Sequence, residues 1–128
     1  SEEIIEVLNK IKPPYNINQA TQELALQALD RVEVVNAWIR ETVAERDQLA
    51  VNLQKLDIVL HVYPSDANFL LVKTVAPRPL YEYLVGEGII VRDRSRVELC
   101  EGCLRITIGT PDENRILLTA MERYHPGA

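Results

Sequence analysis

The stretch from Gly88 to Glu113 constrains the fold more than any other part of the chain. Two apolar runs, Ile89 to Val91 and Leu104 to Ile108, flank a loop rich in charge. Thr110-Pro111-Asp112-Glu113 then supplies an N-cap, a proline at the first helical position and the glutamate of a capping box. The order predicted is strand, polar loop, strand, helix. Side chains alternate faces along a strand, so Leu104, Ile106 and Ile108 share one face while Arg105 and Thr107 share the other. An arginine in mid-strand is costly to bury unless an anion or carboxylate meets it. Its planar fork suits a carboxylate or a phosphate. Arg105 is therefore a candidate anion-binding residue. Arg92, which closes the first run, is a weaker candidate, and Arg94 and Arg96 read as solvated loop residues.

Upstream of this stretch the apolar period changes once. Ile4, Val7, Leu8 and Ile11 recur at helical spacing behind Glu2 and Glu3, predicting a helix over 1–11. Pro13 and Pro14 end it. A second helix is expected over 18–30, capped by Asn16 or Asn18, and a third over 32–56, with Val32, Val35, Ile39, Val43, Ala50, Leu53 and Leu56 as its stripe. From Asp57 the pattern turns to β-branched and alternating. Strands are expected at 58–63 and 68–74, the second apolar on both faces and hence central. A short helix follows over 75–88, with Pro77 and Pro79 at its start, Leu80, Leu84 and Val85 buried, and Gly86 and Gly88 at its end. Strands at 89–92 and 103–108 and a last helix from Thr110 complete the order. Leu117, Ala120, Met121 and Tyr124 form that helix's buried face. The fold class implied is α+β: a small, mostly antiparallel sheet of about four strands with helices on one face, preceded by linker helices. The organisation expected is 1–31 as linker helices and 32–128 as the α+β domain.

Composition narrows the function. A net charge of −5 argues against nucleic acid and against an anionic membrane surface as partners. No apolar run approaches the roughly 20 residues of a membrane span, and no secretory leader is visible, so a cytoplasmic location with reduced thiols is the expectation. Cys100 and Cys103 form a single Cys-x-x-Cys without a second pair, which reads as a loop-end pair rather than a metal or redox site. No Gly-rich phosphate loop is present, and His61 has no serine, cysteine or carboxylate spaced to it as a catalytic partner. Tyr15 follows two prolines and is either a packing residue or a ring presented to a cleft. Asn68, from its residue type alone, is a turn-exit residue bonded to the backbone.

Four blocks carry a family resemblance: Ile11-Lys12-Pro13-Pro14-Tyr15-Asn16, Ser65-Asp66-Ala67-Asn68-Phe69-Leu70-Leu71-Val72, Gly88-Ile89-Ile90-Val91-Arg92-Asp93, and Gly102-Cys103-Leu104-Arg105-Ile106-Thr107-Ile108-Gly109-Thr110. In this order they resemble the C-terminal part of the histidinol-phosphate aminotransferases, pyridoxal-phosphate enzymes of the aspartate-aminotransferase fold. The resemblance implies the small domain of a fold-type I enzyme in histidine biosynthesis that converts histidinol phosphate and 2-oxoglutarate to imidazole-acetol phosphate and glutamate. It gives Arg105 and Arg92 the grip on substrate phosphate or carboxylate, puts Tyr15, Asn16 and Asn68 in the active-site vicinity, and implies a homodimer for the full-length enzyme. The family's Schiff-base lysine stands in a Ser-x-x-Lys context, and none of Lys10, Lys12, Lys55 and Lys73 does. No catalytic, cofactor-binding or metal-binding residue is therefore expected within this chain. The pyridoxal phosphate ligands would lie outside it, and the fragment alone would be inactive. Two other readings stand beside this one: a free-standing module that senses a small anion through its arginines, and an interaction domain built on the long third helix.

Overall fold

The structure, a computed structural model, describes residues 1–12 and 17–126. The element order is α1 (Glu2–Ile11), α2 (Gln19–Leu29), α3 (Val32–Leu53), β1 (Val59–Val62), β2 (Phe69–Thr74), α4 (Pro77–Gly86), β3 (Arg92–Asp93), β4 (Cys103–Thr107) and α5 (Pro111–Arg123). Packing divides the chain into two units, Ser1–Ala37 and Trp38–Ala128.

The first unit is helical. Asn18 caps α2, its side chain accepting the Thr21 N–H at 2.8 Å. The alternative cap, Asn16, lies outside the described residues, as does Tyr15. Neither α1 nor α2 buries a residue, and the α1 stripe of Ile4, Val7, Leu8 and Ile11 is exposed.

The second unit holds one four-stranded sheet in the order β1-β2-β4-β3, every pairing antiparallel. β2 is a central strand because both its faces carry apolar residues. Leu70 and Val72 of β2 and Leu104 and Ile106 of β4 are buried on one face. Helices cover that face: Leu49 and Leu53 from α3, Leu80 and Leu84 from α4, and Leu117, Ala120 and Met121 from α5 join the same core. Only the last turns of α3 reach it. Val32, Ile39 and Val43, expected in the buried stripe, are exposed, and Leu49, outside that stripe, is buried. Val85 of α4 is likewise exposed.

Two termini direct the chain toward the β3–β4 pair. Past α4, Gly88 takes φ +79°, its N–H reaching Val85 O at 3.0 Å and the Ile89 N–H reaching Leu84 O at 2.8 Å. This is a Schellman ending, and it needs the left-handed conformation glycine tolerates. At α5, the Thr110 hydroxyl accepts the Glu113 N–H at 3.4 Å while Glu113 Oε2 accepts the Thr110 N–H at 2.7 Å, completing the capping box. The Thr110 N–H and then the Thr110 hydroxyl, which donates to Glu113 Oε2 at 2.9 Å, hold the Glu113 carboxyl below the usual range.

The third strand differs from expectation. Its ladder begins at Arg92, and Ile89 to Val91 lies outside the pairing. The glycine ending of α4 orients this run so that Val91 enters the core while Ile90 stays 75% exposed. Apolar content here reflects one buried residue rather than strand pairing.

Candidate anion-binding site

Register assigns the residues of the open face, opposite the helices. Leu70 pairs with Ile106 and Val72 with Leu104 on the core side, so Phe69, Leu71 and Lys73 stand on the other side with Thr107, Arg105 and Cys103. Arg92 is the direct partner of Arg105. The Arg94 N–H donates to Cys103 O at 3.0 Å, continuing the ladder by one pair. Arg94 therefore joins Arg92 and Arg105 on the open face and is half-buried, whereas Arg96 is exposed as expected. None of the strand positions on this face is acidic.

Arg105 is half-buried. Among the described residues no carboxylate lies within 4.0 Å of it or of Arg92. Its Nε is buried without a hydrogen-bond partner, and its Cζ lies 4.9 Å from the centre of the Phe69 ring. A buried donor with no acceptor carries an energetic penalty that an arriving anion would remove. Phe69, read from sequence only as an apolar strand residue, is thus part of the site.

Asp93 faces the other way, paired with Leu104 on the helix side. Hydrogen bonds from Ser95, the hydroxyl first and then the backbone N–H at 2.8 Å, lower its carboxyl pKa, with Arg78 of α4 adding to this from 3.6 Å. Asp93 thereby anchors the strand that carries Arg92 without neutralising it.

A second support was not foreseen from sequence. Asn114 is 5% exposed. Its Oδ1 accepts the Gly109 N–H at 3.0 Å, and its Nδ2 donates to Gly109 O at 3.1 Å and to Glu45 Oε2 of α3 at 2.8 Å. This network fixes the exit of β4 just beyond Arg105. Gly109 has no room for a side chain there: a Cβ would lie 2.8 Å from Glu113 Cβ and Oε2. The clue was present, since Asn114 stands one turn before Leu117 on the buried stripe of α5.

The remaining candidates are less organised. Asn68 gives its backbone O to the Ile108 N–H at 2.9 Å, but its side chain is exposed and makes no hydrogen bond among the described residues. His61 is exposed and stacks edge-on against Tyr63 at 4.6 Å. Cys100 O accepts the Cys103 N–H at 3.0 Å, closing a turn, and both thiols are free. Burial, and then the nearby Cys100, push the Cys103 thiol pKa up, with Lys73 opposing. Among the described residues no group of three or more His, Cys, Asp or Glu is placed to hold a metal ion, and no helix is long and apolar enough to cross a membrane. A cavity of about 600 Å³ between α3 and β1, lined by Arg46, Gln54, Val62 and Tyr63 among others, does not include Arg92, Arg94 or Arg105. The unpartnered Arg105 donor is the stronger indication of a site, because it points to a ligand chemistry and an open groove does not.

Lys55 is exposed and bonds Asn52 at 3.1 Å, and the Lys73 stem lies along Gly102.

Comparison with known proteins identifies the family. The family described as aminotransferase class I and II matches residues 1–121. The chain is 52% identical over 124 residues to a histidinol-phosphate aminotransferase of Cytophaga hutchinsonii, covering 97% of this chain and 36% of that protein. It is 52% identical over 122 residues to the enzyme of the same name from Parabacteroides distasonis, covering 95% and 35%. Among solved structures, the histidinol-phosphate aminotransferase of Clostridium acetobutylicum shares the fold at a TM-score of 0.83 and 23% identity, over 95% of this chain and 37% of that one. The L-threonine-O-3-phosphate decarboxylase of Porphyromonas gingivalis aligns at 0.72 and 25%, over 95% and 38%. The chain thus spans little more than a third of the length of these relatives. With the family matched across nearly all of its residues, the chain belongs to the class I and II aminotransferases.

Proposed function

We propose that this chain is the C-terminal small domain of a longer aminotransferase that converts histidinol phosphate and 2-oxoglutarate to imidazole-acetol phosphate and glutamate. Residues 1–31 act as linker helices to the rest of the enzyme and 32–128 as the small domain. The observation that carries the reading is the facing pair of Arg92 and Arg105, two guanidinium groups on an acid-free sheet face. Arg105 takes the carboxylate of glutamate or the phosphate of histidinol phosphate in turn, and Arg92 adds the second charge that a phosphate dianion rewards. Asn68, Tyr15 and Asn16 belong to the active-site vicinity. The whole enzyme works as a cytoplasmic homodimer.

Pyridoxal phosphate, held by residues outside this chain, supplies the electron sink when bound. What the chain itself contributes is orientation of the substrate's anionic end. The 128-residue chain alone does not turn over.

The test is steady-state kinetics of the complete enzyme with Arg92→Gln and Arg105→Gln. Arg105→Gln raises KM for both substrates, and Arg92→Gln raises it more for histidinol phosphate than for glutamate. Equal loss for both in Arg92→Gln removes the phosphate role. Likeness to the threonine-phosphate decarboxylase supports a second reading, decarboxylation of a phosphorylated amino acid. Release of carbon dioxide without any need for 2-oxoglutarate would select it.

A further inference from the structure

We infer that Phe69 is a positioning residue that holds the Arg105 guanidinium for the incoming anion. The inference rests on the reading of Arg105 as an anion-binding residue. Phe69 pairs with Thr107 and Leu71 with Arg105, so Phe69 is the diagonal neighbour of Arg105 on the adjacent strand and the same face. Diagonal neighbours are within reach when one side chain is aromatic and the other long. The Cζ-to-ring-centre distance of 4.9 Å lies inside the range of a cation–π contact.

The kind of support matters. An arginine is usually held by a carboxylate, which uses its N–H donors and cancels its charge. An aromatic face holds the cation while leaving the in-plane donors and the charge free. Arg105 has the second arrangement: no carboxylate within 4.0 Å among the described residues, a buried Nε without an acceptor, and a ring over Cζ. The base of the ring is itself fixed. Phe69 opens a central strand, and its carbonyl accepts the Ser65 hydroxyl at 2.7 Å. A Phe69 that served only to cover apolar surface would be replaceable by leucine.

The experiment compares Phe69→Leu, Phe69→Met, Phe69→Tyr, Arg105→Gln and the double variant Phe69→Leu/Arg105→Gln in the complete enzyme, reading KM and kcat for each anionic substrate. Loss of the ring in Phe69→Leu and Phe69→Met raises KM about 5- to 20-fold, the scale of one partly desolvated cation–π contact, with kcat changed less than about 2-fold. Phe69→Tyr keeps the ring and the wild-type KM. In the Arg105→Gln background Phe69→Leu has no further effect on KM. If leucine and tyrosine variants behave alike, or if Phe69→Leu acts equally with and without Arg105, the inference is overturned. Phe69→Met provides the same comparison should Phe69→Leu not fold. An unchanged KM in Arg105→Gln sinks the anion reading itself. A raised KM there beside an unchanged Phe69→Leu removes Phe69 alone.

Discussion

Arg92 and Arg105 are Cα partners across the β3–β4 pair, so two like charges occupy directly opposed positions in an antiparallel ladder. Such pairs repel, and here no acid on the same face offsets them. An anion does. Phosphate therefore raises the thermal midpoint of the 128-residue chain above that in chloride of equal ionic strength. Arg92→Gln removes most of this difference and by itself stabilises the chain by about 0.5 kcal/mol at low salt, the scale of one cross-strand charge pair. Equal midpoints in phosphate and chloride would mean that the two guanidinium groups turn away from each other and share no ligand.

Asn114 is the polar keystone behind the site. Asn114→Ala leaves the Gly109 N–H and C=O and the Glu45 carboxylate without this partner. Unpaired groups in a buried place make the loss about 2–4 kcal/mol, larger than deletion of an exposed asparagine. Denaturant unfolding measures it. A change below about 0.5 kcal/mol, the ordinary scale for a surface residue, would show that water replaces the network.

Much of this architecture was legible because local signals agreed with one another. The capping box at Thr110, the glycine ending at Gly88 and the alternation of Leu104, Arg105 and Ile106 each predicted the element observed. Where the sequence misled, a tertiary partner decided. Ile89 to Val91 is as apolar as a strand, but α4 ends in a turn that carries it past the sheet edge before pairing begins at Arg92. The apolar stripe over the first part of α3 has helical spacing, and spacing alone does not tell which turns meet a core; the last turns do, through Leu49, Ala50 and Leu53. Arg105 was legible as a candidate because a charged residue inside a strand is anomalous. Phe69 was not, because an aromatic in a strand is ordinary until its register against an arginine is known.

Leu99 is strained without an evident return. It takes φ +65°, a region that costs an L-residue about 1–2 kcal/mol, and its side chain is 87% exposed. Leu99→Asn tolerates that conformation and gives up no packing, so the midpoint rises. A fall would mean that Leu99 makes a contact with another part of the longer protein or with a second copy, and comparing the 128-residue chain with the complete enzyme separates these cases.

The acid limb of stability depends on Asp93. Its carboxyl pKa is lowered in the folded chain, chiefly by Ser95 and further by Arg78. A lowered carboxylate contributes stability that is fully present above its unfolded pKa, about 3.9, and is lost as pH falls through the folded value. Glu113, lowered by Thr110, has the same sign. The chain thus loses stability on acidification below about pH 4, and Asp93→Asn is less stable than wild type at neutral pH while converging on it at the acid end. Thermal midpoints of both proteins across that range give the answer. A constant gap at every pH would assign the effect of the substitution to geometry rather than charge, and would detach Arg78 from the anchoring of the strand that carries Arg92.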